Sequence, residues 1–139
     1  MNKILLPVDG SDMCTKSYKY AKDFAMKYDA EILIVNVQSL PYQWAYAHSD
    51  LEYDRKKYNE LGNDIVNKAK LLFDESKVRT MTKVEFGDPA STIIDVAKKE
   101  NCDIIIMCTH GMGAVKRFTI GSVTNKVVHH ADIPVLVVR

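Results

Sequence analysis

The sequence predicts an α/β fold in which a parallel sheet of five strands is covered by four helices on both faces. Short apolar runs of strand length alternate with segments whose apolar residues recur at helical spacing, an alternation typical of a helix-covered parallel sheet. The stretch from Asp103 to Val128 is the second indication, because it has the pattern of a strand, a glycine-containing loop and a helix start. The sequence contains no internal repeat and no low-complexity linker.

The five predicted strands are the apolar runs between the helical segments. They are Lys3 to Val8, Glu31 to Val37, Arg79 to Phe86, Asp103 to Thr109 and Ile133 to Val138. In the third strand, apolar Val84 and Phe86 alternate with charged residues, which predicts an exposed edge of the sheet.

The helices are predicted from apolar spacing and from start signals. The first covers Tyr18 to Tyr28, with a buried face of Ala21, Phe24, Ala25 and Tyr28. The second is long, and its apolar stripe consists of Tyr58, Leu61, Ile65, Ala69 and Leu72. Asp88-Pro89 starts the third, since Asp can cap free N–H groups and Pro suits the first helical position. The fourth begins near Ser122.

Length and composition predict one compact domain, residues 1–139, with a core of its own: the chain is 47% hydrophobic and 27% charged. A net charge of +1 gives no reason to expect a nucleic-acid partner. The apolar runs are shorter than a membrane span, and Met1-Asn2-Lys3 leads directly into a strand without a signal-peptide profile. We therefore expect no membrane association and a cytoplasmic location.

The three cysteines, Cys14, Cys102 and Cys108, lack CxxC spacing. An odd number without such spacing favours free thiols over a disulfide framework or a zinc site. The histidines also lack metal-ligand spacing, so no metal site built from side chains alone is predicted.

Three predicted strand ends converge on one rim of the sheet. Pro7 to Ser11 leaves the first strand, Val37 ends the second, and Cys108 to Gly113 leaves the fourth. Ligands of open parallel sheets bind at the carboxyl ends of the strands, and the free N–H groups of a helix start can donate hydrogen bonds to a phosphate. The rim therefore predicts a phosphate-containing ligand. A purely structural alternative stays open, in which Asp9 and Ser122 cap the first and fourth helices.

Three segments carry a family resemblance. ILLPVDGS, GDPASTIIDVAKKENCDIIIMCTHG and GSVTNKVVHHADIPVLVV together resemble the universal stress protein family over essentially the whole chain. Nucleotide-binding members of that family have two glycines separated by two residues, then nine residues, then Gly followed by Ser or Thr. Here Gly111, nine residues and Gly121-Ser122 fit that pattern, whereas Cys108 occupies the first glycine position.

The resemblance implies a Rossmann-like fold with strand order 3-2-1-4-5 and ATP bound between the first and fourth strands. It implies that Asp9 and Val37 face ribose and adenine, and that Pro7 and Val8 shape the pocket wall. The other side would be lined by Met107, Cys108, His110 and Gly111. The phosphates would be held by Gly121, Ser122, Val123 and Thr124, with any Mg²⁺ held mainly by the phosphates.

The function implied is that of an ATP-binding stress-response protein acting as a dimeric nucleotide-dependent switch. The apolar final strand, Pro134 to Val138, is expected at a sheet edge, where pairing with a second copy would cover it. No catalytic residue is assigned, because no nucleophile with an adjacent base is recognisable. Two alternatives stay open: a dimeric adaptor that has lost nucleotide binding through Cys108, and a slow ATPase.

Overall fold

A computed structural model describes residues 1–11, 15–39, 51–109 and 120–139. The strands are β1 (Lys3–Pro7), β2 (Glu31–Gln38), β3 (Thr80–Phe86), β4 (Ile104–Cys108) and β5 (Val135–Val138). The helices are α1 (Thr15–Tyr28), α2 (Leu51–Leu71), α3 (Pro89–Lys99) and α4 (Ser122–His130). The sheet has the order β3-β2-β1-β4-β5, and each neighbouring pair is parallel. The predicted Rossmann-like α/β fold is confirmed.

Alternation along the central strands divides the core into two layers, one on each face of the sheet. Ile4, Leu6 and Val8 of the first strand and its extension pack with α1 and α2. Leu5 points the other way and packs with α3 and α4. The core side chains of β1 are fully buried, and each contributes about 1.5–3 kcal/mol on transfer from water.

The chain changes sides of the sheet between its two central strands. β1 is followed by α1 on one face, whereas its neighbour β4 is followed by α4 on the opposite face. The connections leaving β1 and β4 therefore diverge, and in open parallel sheets such a divergence leaves a crevice at the carboxyl ends of the two strands. This topological switch point determines where a ligand site is expected.

The apolar stripe predicted for α2 is wrong at two of its positions. Leu61 and Leu72 are 50% and 56% exposed, while the neighbouring Gly62 and Phe73 face the sheet. A Cβ added at Gly62 would lie 2.5 Å from Cγ1 of Val84 in β3. The helix approaches the sheet so closely at this point that only glycine fits there, and Gly62 takes the buried position in place of Leu61, while Ala69 of the predicted stripe is buried as expected.

The start of α3 is as predicted. Oδ1 of Asp88 accepts hydrogen bonds from the backbone N–H and the hydroxyl of Ser91, at 3.1 and 2.9 Å. Pro89 occupies the first turn, where its missing N–H costs nothing. These hydrogen bonds, with the backbone N–H first, lower the pKa of the Asp88 carboxyl.

Candidate functional site

The loop after β1 is held by backbone and side-chain hydrogen bonds. The N–H of Val8 donates to the carbonyl of Val35 at 2.8 Å, which continues the pairing of β1 with β2 beyond the strand end. Asp9 follows, and its Oδ1 accepts from the N–H of Ser11 at 2.9 Å. Gly10 has φ +84°, a conformation that L side chains rarely adopt. The hydrogen bond from Ser11 closes a local turn at Asp9, and residues 12–14, which lead into α1, lie outside the described residues.

Apolar side chains from three strands lie together on the α3/α4 face near this loop. Met107 belongs to the core layer of that face, and Val37 packs against the same layer. Pro7 is paired in register with Val35, which belongs to that layer, so Pro7 lies on the same face. Pro7 and Val37 are both partly exposed. The three predicted pocket residues Pro7, Val37 and Met107 therefore share one face at the carboxyl end of the sheet. Val8 differs, because it points into the α1/α2 layer and offers the α3/α4 face only its backbone.

The side chain of Cys108 points away from that face. Cys108 is paired with Val138 and follows Ile106 by two positions, and both of these residues belong to the α1/α2 layer. Strand alternation therefore directs the sulfur toward the α1 side, and only the backbone of Cys108 faces the crevice.

The prediction of free thiols is correct for one described cysteine and wrong for the other. Cys102 is a buried free cysteine, and burial raises the pKa of its thiol to about 11. Cys108 is disulfide-bonded, and the third cysteine, Cys14, lies outside the described residues. Spacing in the sequence did not reveal this bond, because disulfide formation depends on distances between Cβ atoms that only the fold determines.

The start of α4 lies at the end of β4. The N–H of Gly121 donates to the carbonyl of Thr109 at 2.7 Å. The N–H of Thr109 in turn donates to the carbonyl of Val138 at 2.9 Å. Gly121 is the N-cap and has no side chain with which to cap the helix. Ser122 is therefore the first helical residue and not the cap, and its side chain is exposed. The first turn of α4 carries the positive end of the helix dipole without a side-chain cap from Gly121.

Thr124 connects α4 to β4. Its hydroxyl donates to the carbonyl of Cys108 at 2.9 Å, and the residue is 4% exposed. The hydroxyl predicted to hold phosphate is therefore already used in attaching the helix to the strand. Its backbone N–H is still in the first turn of α4, beside those of Ser122 and Val123. His110 and Gly111, the remaining predicted site residues, lie outside the described residues.

The described site combines three chemical features at one rim. Asp9 supplies a carboxylate, which accepts hydrogen bonds from hydroxyl groups. Val37 and Pro7 supply partly exposed apolar surface, and the first turn of α4 supplies backbone donors for an anion. In the part of the chain that the structure describes, no helix is both long and apolar enough to cross a membrane.

The whole chain, residues 1–139, matches the model of the family described as the universal stress protein family. The chain belongs to this family. Universal stress protein MJ0531 of Methanocaldococcus jannaschii is 33% identical over 138 residues, which cover 99% of this chain and 81% of that protein. A putative universal stress protein of Staphylococcus aureus is 35% identical over 138 residues, covering 98% and 82%.

Solved structures of universal stress proteins share the fold. Hypothetical protein MJ0577 superposes with a TM-score of 0.84 at 28% identity, covering 99% of this chain and 94% of that one. A family member of Arabidopsis thaliana, solved with AMP bound, has a TM-score of 0.66 at 18% identity, covering 99% and 91%. A universal stress protein in complex with cAMP has a TM-score of 0.64 at 17% identity, covering 99% and 96%.

Sequence reasoning missed two buried polar residues behind the rim, Asn36 and Gln38. Both lie in β2 and share a hydrogen bond of 2.6 Å. The signal was present, because two amides follow a run of four apolar residues, Ile32 to Val35, at alternate positions near the carboxyl end of the strand. Alternate polar positions also mark an ordinary solvated face, so the pattern alone did not distinguish the two.

Proposed function

We propose that this protein binds an adenine nucleotide, with ATP as the expected ligand, and acts as a dimeric nucleotide-dependent regulator of a stress response. The observation that carries the proposal is the switch point between β1 and β4. There the carboxylate of Asp9 and the start of α4 belong to the connections that diverge around one crevice. Both groups lie where ligands of open parallel sheets bind.

In this proposal the nucleotide is bound in three parts. The adenine lies against Val37 and Pro7, with Met107 beneath, and the ribose hydroxyls donate to Asp9. The phosphates accept hydrogen bonds from the backbone N–H groups of the first turn of α4, with the hydroxyl of Ser122 as a further donor. This donor set suits a phosphate, and it leaves any Mg²⁺ to be held mainly by phosphate oxygens and water. His110 and Gly111 are proposed from the sequence motif alone.

The relatives support an adenine ligand. One family member was solved with AMP bound and another with cAMP, and both are similar to this chain in fold at under 25% identity. The two ligands have the adenosine part in common, whereas their phosphate groups differ. The adenine and ribose contacts are therefore the part of the proposal that these relatives support most directly.

The orientation of Cys108 favours nucleotide binding over the alternative of an adaptor that has lost it. A cysteine in place of the first motif glycine would obstruct a ligand only if its side chain entered the crevice. Alternation along β4 directs the sulfur to the opposite, α1 side.

The proposed dimer forms through the final strand, Pro134 to Val138. In the described structure β5 is hydrogen-bonded to β4 on one side and forms one edge of the sheet. Three of its four residues, Val135, Leu136 and Val137, are only partly buried. An apolar edge of this kind is covered when a second copy pairs with it. A single species with the mass of one chain at micromolar concentration, in sedimentation velocity, would rule the dimer out.

The binding proposal is tested by calorimetric titration with ATP, AMP and GTP, each with and without Mg²⁺. We expect ATP and AMP to bind and GTP to bind at least tenfold more weakly, because adenine and guanine differ at the hydrogen-bonding edge. We expect Mg²⁺ to affect ATP binding more than AMP binding, since AMP has a single phosphate. If none of the nucleotides binds, the proposal is wrong and the adaptor alternative gains support.

A further inference from the structure

Two buried amide side chains lie directly behind the proposed site, on the opposite face of the sheet. Asn36 and Gln38 are 3% and 8% exposed, and they occupy alternate positions near the carboxyl end of β2. They share the α1/α2 face with Ile32 and Ile34, which belong to the apolar layer there. Burying an amide in such a layer is unfavourable unless its polar atoms are hydrogen-bonded. Their presence therefore calls for a specific role.

The two amides form a directed chain of hydrogen bonds. Nε2 of Gln38 donates to Oδ1 of Asn36 at 2.6 Å, and Nδ2 of Asn36 donates to the backbone carbonyl of Val8 at 2.8 Å. An Asn amide has one oxygen and one nitrogen, so the donor from Gln38 determines which end of Asn36 faces Val8. Gln38 therefore orients Asn36, and Asn36 holds Val8.

The carbonyl that Asn36 holds belongs to the peptide that joins Val8 to Asp9. The N–H of Val8 is held separately, by the carbonyl of Val35 at 2.8 Å. The chain turns immediately afterwards, through Gly10 at φ +84°, and a Cβ at Gly10 would lie 3.2 Å from Cγ1 of Ile65 in α2. Hydrogen bonds on both sides of Val8 and the contact with α2 thus leave the Asp9 backbone little freedom.

Helix α2 closes over the same chain of bonds. A Cβ added at Gly62 would lie 3.1 Å from Oδ1 of Asn36, so the helix backbone lies directly against the amide. The backbone of β2 beside Gln38 is also held, because its carbonyl accepts from the N–H of Gly87 at 3.1 Å. The amide pair is therefore enclosed by β2, the end of β3 and α2.

We propose that Asn36 and Gln38 are positioning residues that fix the Val8–Asp9 peptide and so hold the Asp9 carboxylate in place for the ligand. This inference rests on the proposed function for its ligand. It adds a supporting layer on the face of the sheet opposite the nucleotide, with Asn36 acting directly and Gln38 acting through Asn36.

The test compares Asn36→Asp with a matched control, Asn63→Asp. Asn36→Asp keeps the shape and the acceptor for Gln38 but replaces the donor to Val8 with an oxygen. Asn63 makes the same kind of bond on the surface of α2, from Nδ2 to the carbonyl of Asn59 at 2.9 Å. Gln38→Met is the second variant, because it leaves Asn36 without its orienting donor. Circular dichroism and thermal melting establish that each variant is folded.

Two measurements follow in the folded variants. The first is hydrogen exchange at the N–H of Ser11, which reports the turn closed by Asp9 and needs no ligand. We expect exchange to accelerate roughly tenfold in Asn36→Asp and about threefold in Gln38→Met, with less than about a twofold change in Asn63→Asp. The second is the affinity for AMP, measured by calorimetry. We expect the affinity to fall most in Asn36→Asp, less in Gln38→Met and least in Asn63→Asp.

A double-mutant cycle separates positioning from general destabilisation. In an Asp9→Ala background, Asn36→Asp should weaken AMP binding by less than about twofold further, because the group that it positions is already gone. Wild-type Ser11 exchange in a folded Asn36→Asp protein would overturn the inference, and so would fully additive losses in the cycle. If the wild-type protein binds no AMP, the proposed function fails, while Ser11 exchange still decides the positioning role. If Asn36→Asp does not fold, Ser11 exchange and AMP binding in Gln38→Met decide whether the amide pair positions Asp9.

Discussion

The N-termini of α3 and α4 lie on the same face of the sheet and at the same rim, but they are completed differently. Helix α3 carries its own anion, since the Asp88 carboxylate accepts from the backbone and hydroxyl of Ser91. The N-cap of α4 is Gly121, which has no side chain for this purpose. The two helices pack on each other, and Lys126 of α4 lies 3.9 Å from Asp88. One helix start is thus capped by a side chain of the chain, whereas in the described residues the N-cap of the other supplies no such group, and the proposed phosphate site depends on this difference.

Giving α4 the cap that α3 has should produce the largest effect. In Gly121→Asp, a carboxylate would take the place of the phosphate at the first turn and repel it. We expect nucleotide affinity to fall by roughly tenfold or more. The φ of Gly121 is −58°, so a side chain is compatible with the backbone.

Two controls accompany this variant. Gly121→Asn caps equally well without the charge, so its binding should be intermediate, and Gly121→Ala tests size alone. Calorimetry with ATP measures the binding, and thermal melting should show Gly121→Asp at least as stable as wild type. Unchanged ATP affinity in a folded Gly121→Asp protein would exclude phosphate binding at α4.

Removing the cap of α3 should affect stability and not binding. Asp88→Ala leaves the N–H groups of the first turn of α3 without their acceptor. We expect the free energy of unfolding to fall by about 1 kcal/mol in urea denaturation. ATP affinity should stay within about twofold of wild type, because the ligand is proposed to contact α4. A loss of ATP affinity as large as that in Gly121→Asp would mean that both helix starts serve the ligand.

The same cap predicts a difference in acid stability. Hydrogen bonds from Ser91 lower the pKa of Asp88 in the folded state, so the stabilisation is complete above the unfolded-state pKa of about 4. It is lost as the pH falls through the lower, folded-state pKa. Asp88→Asn keeps a cap that does not titrate, so its stability should fall less steeply below about pH 4. The measurement is urea denaturation of both proteins from pH 6 to pH 2.5, and identical slopes would contradict the assignment.

Breaking the contact between the two helices should have the smallest effect. The side chains of Lys126 and Asp88 are 59% and 51% exposed, and solvent screens pairs of this kind. Lys126→Ala should therefore change the free energy of unfolding by less than about 0.5 kcal/mol. A larger change would show that the α3/α4 contact depends on charge more than on apolar packing.

The sequence predicted most of the fold because local signals and packing agree. Asp88-Pro89 predicted the start of α3 correctly, and the alternation around Val84 predicted an edge strand, which β3 is. The stripe of α2 was harder, because Leu61 is the more apolar residue while Gly62 is the one that fits against Val84. Where a helix lies as close to the sheet as α2 does at Gly62, a small residue and not the most apolar one occupies the buried position, so hydrophobicity alone predicts the wrong face there.

For the candidate site, the sequence motif identified the rim and most of its candidate residues but not the direction of their side chains. Cys108 was predicted to line the ligand, whereas alternation along β4 directs its sulfur to the other face, where it is disulfide-bonded. Thr124 was predicted to offer its hydroxyl to phosphate, but that hydroxyl donates to Cys108. Both outcomes depend on which partners the fold brings near, and a motif does not contain that information.

The sequence by itself determined the order of strands and helices, the rim of the sheet where the candidate strand ends lie, and the family to which the chain belongs. These follow from apolar periodicity, turn residues and motif spacing, which are local properties of the chain. Only the tertiary structure decided that Asn36 and Gln38 form a hydrogen-bonded chain to the carbonyl of Val8, and that Gly121 and not Ser122 is the N-cap of α4. The reason is physical: buried polar groups must find hydrogen-bond partners, and those partners come from segments distant in sequence that meet only when the sheet has formed.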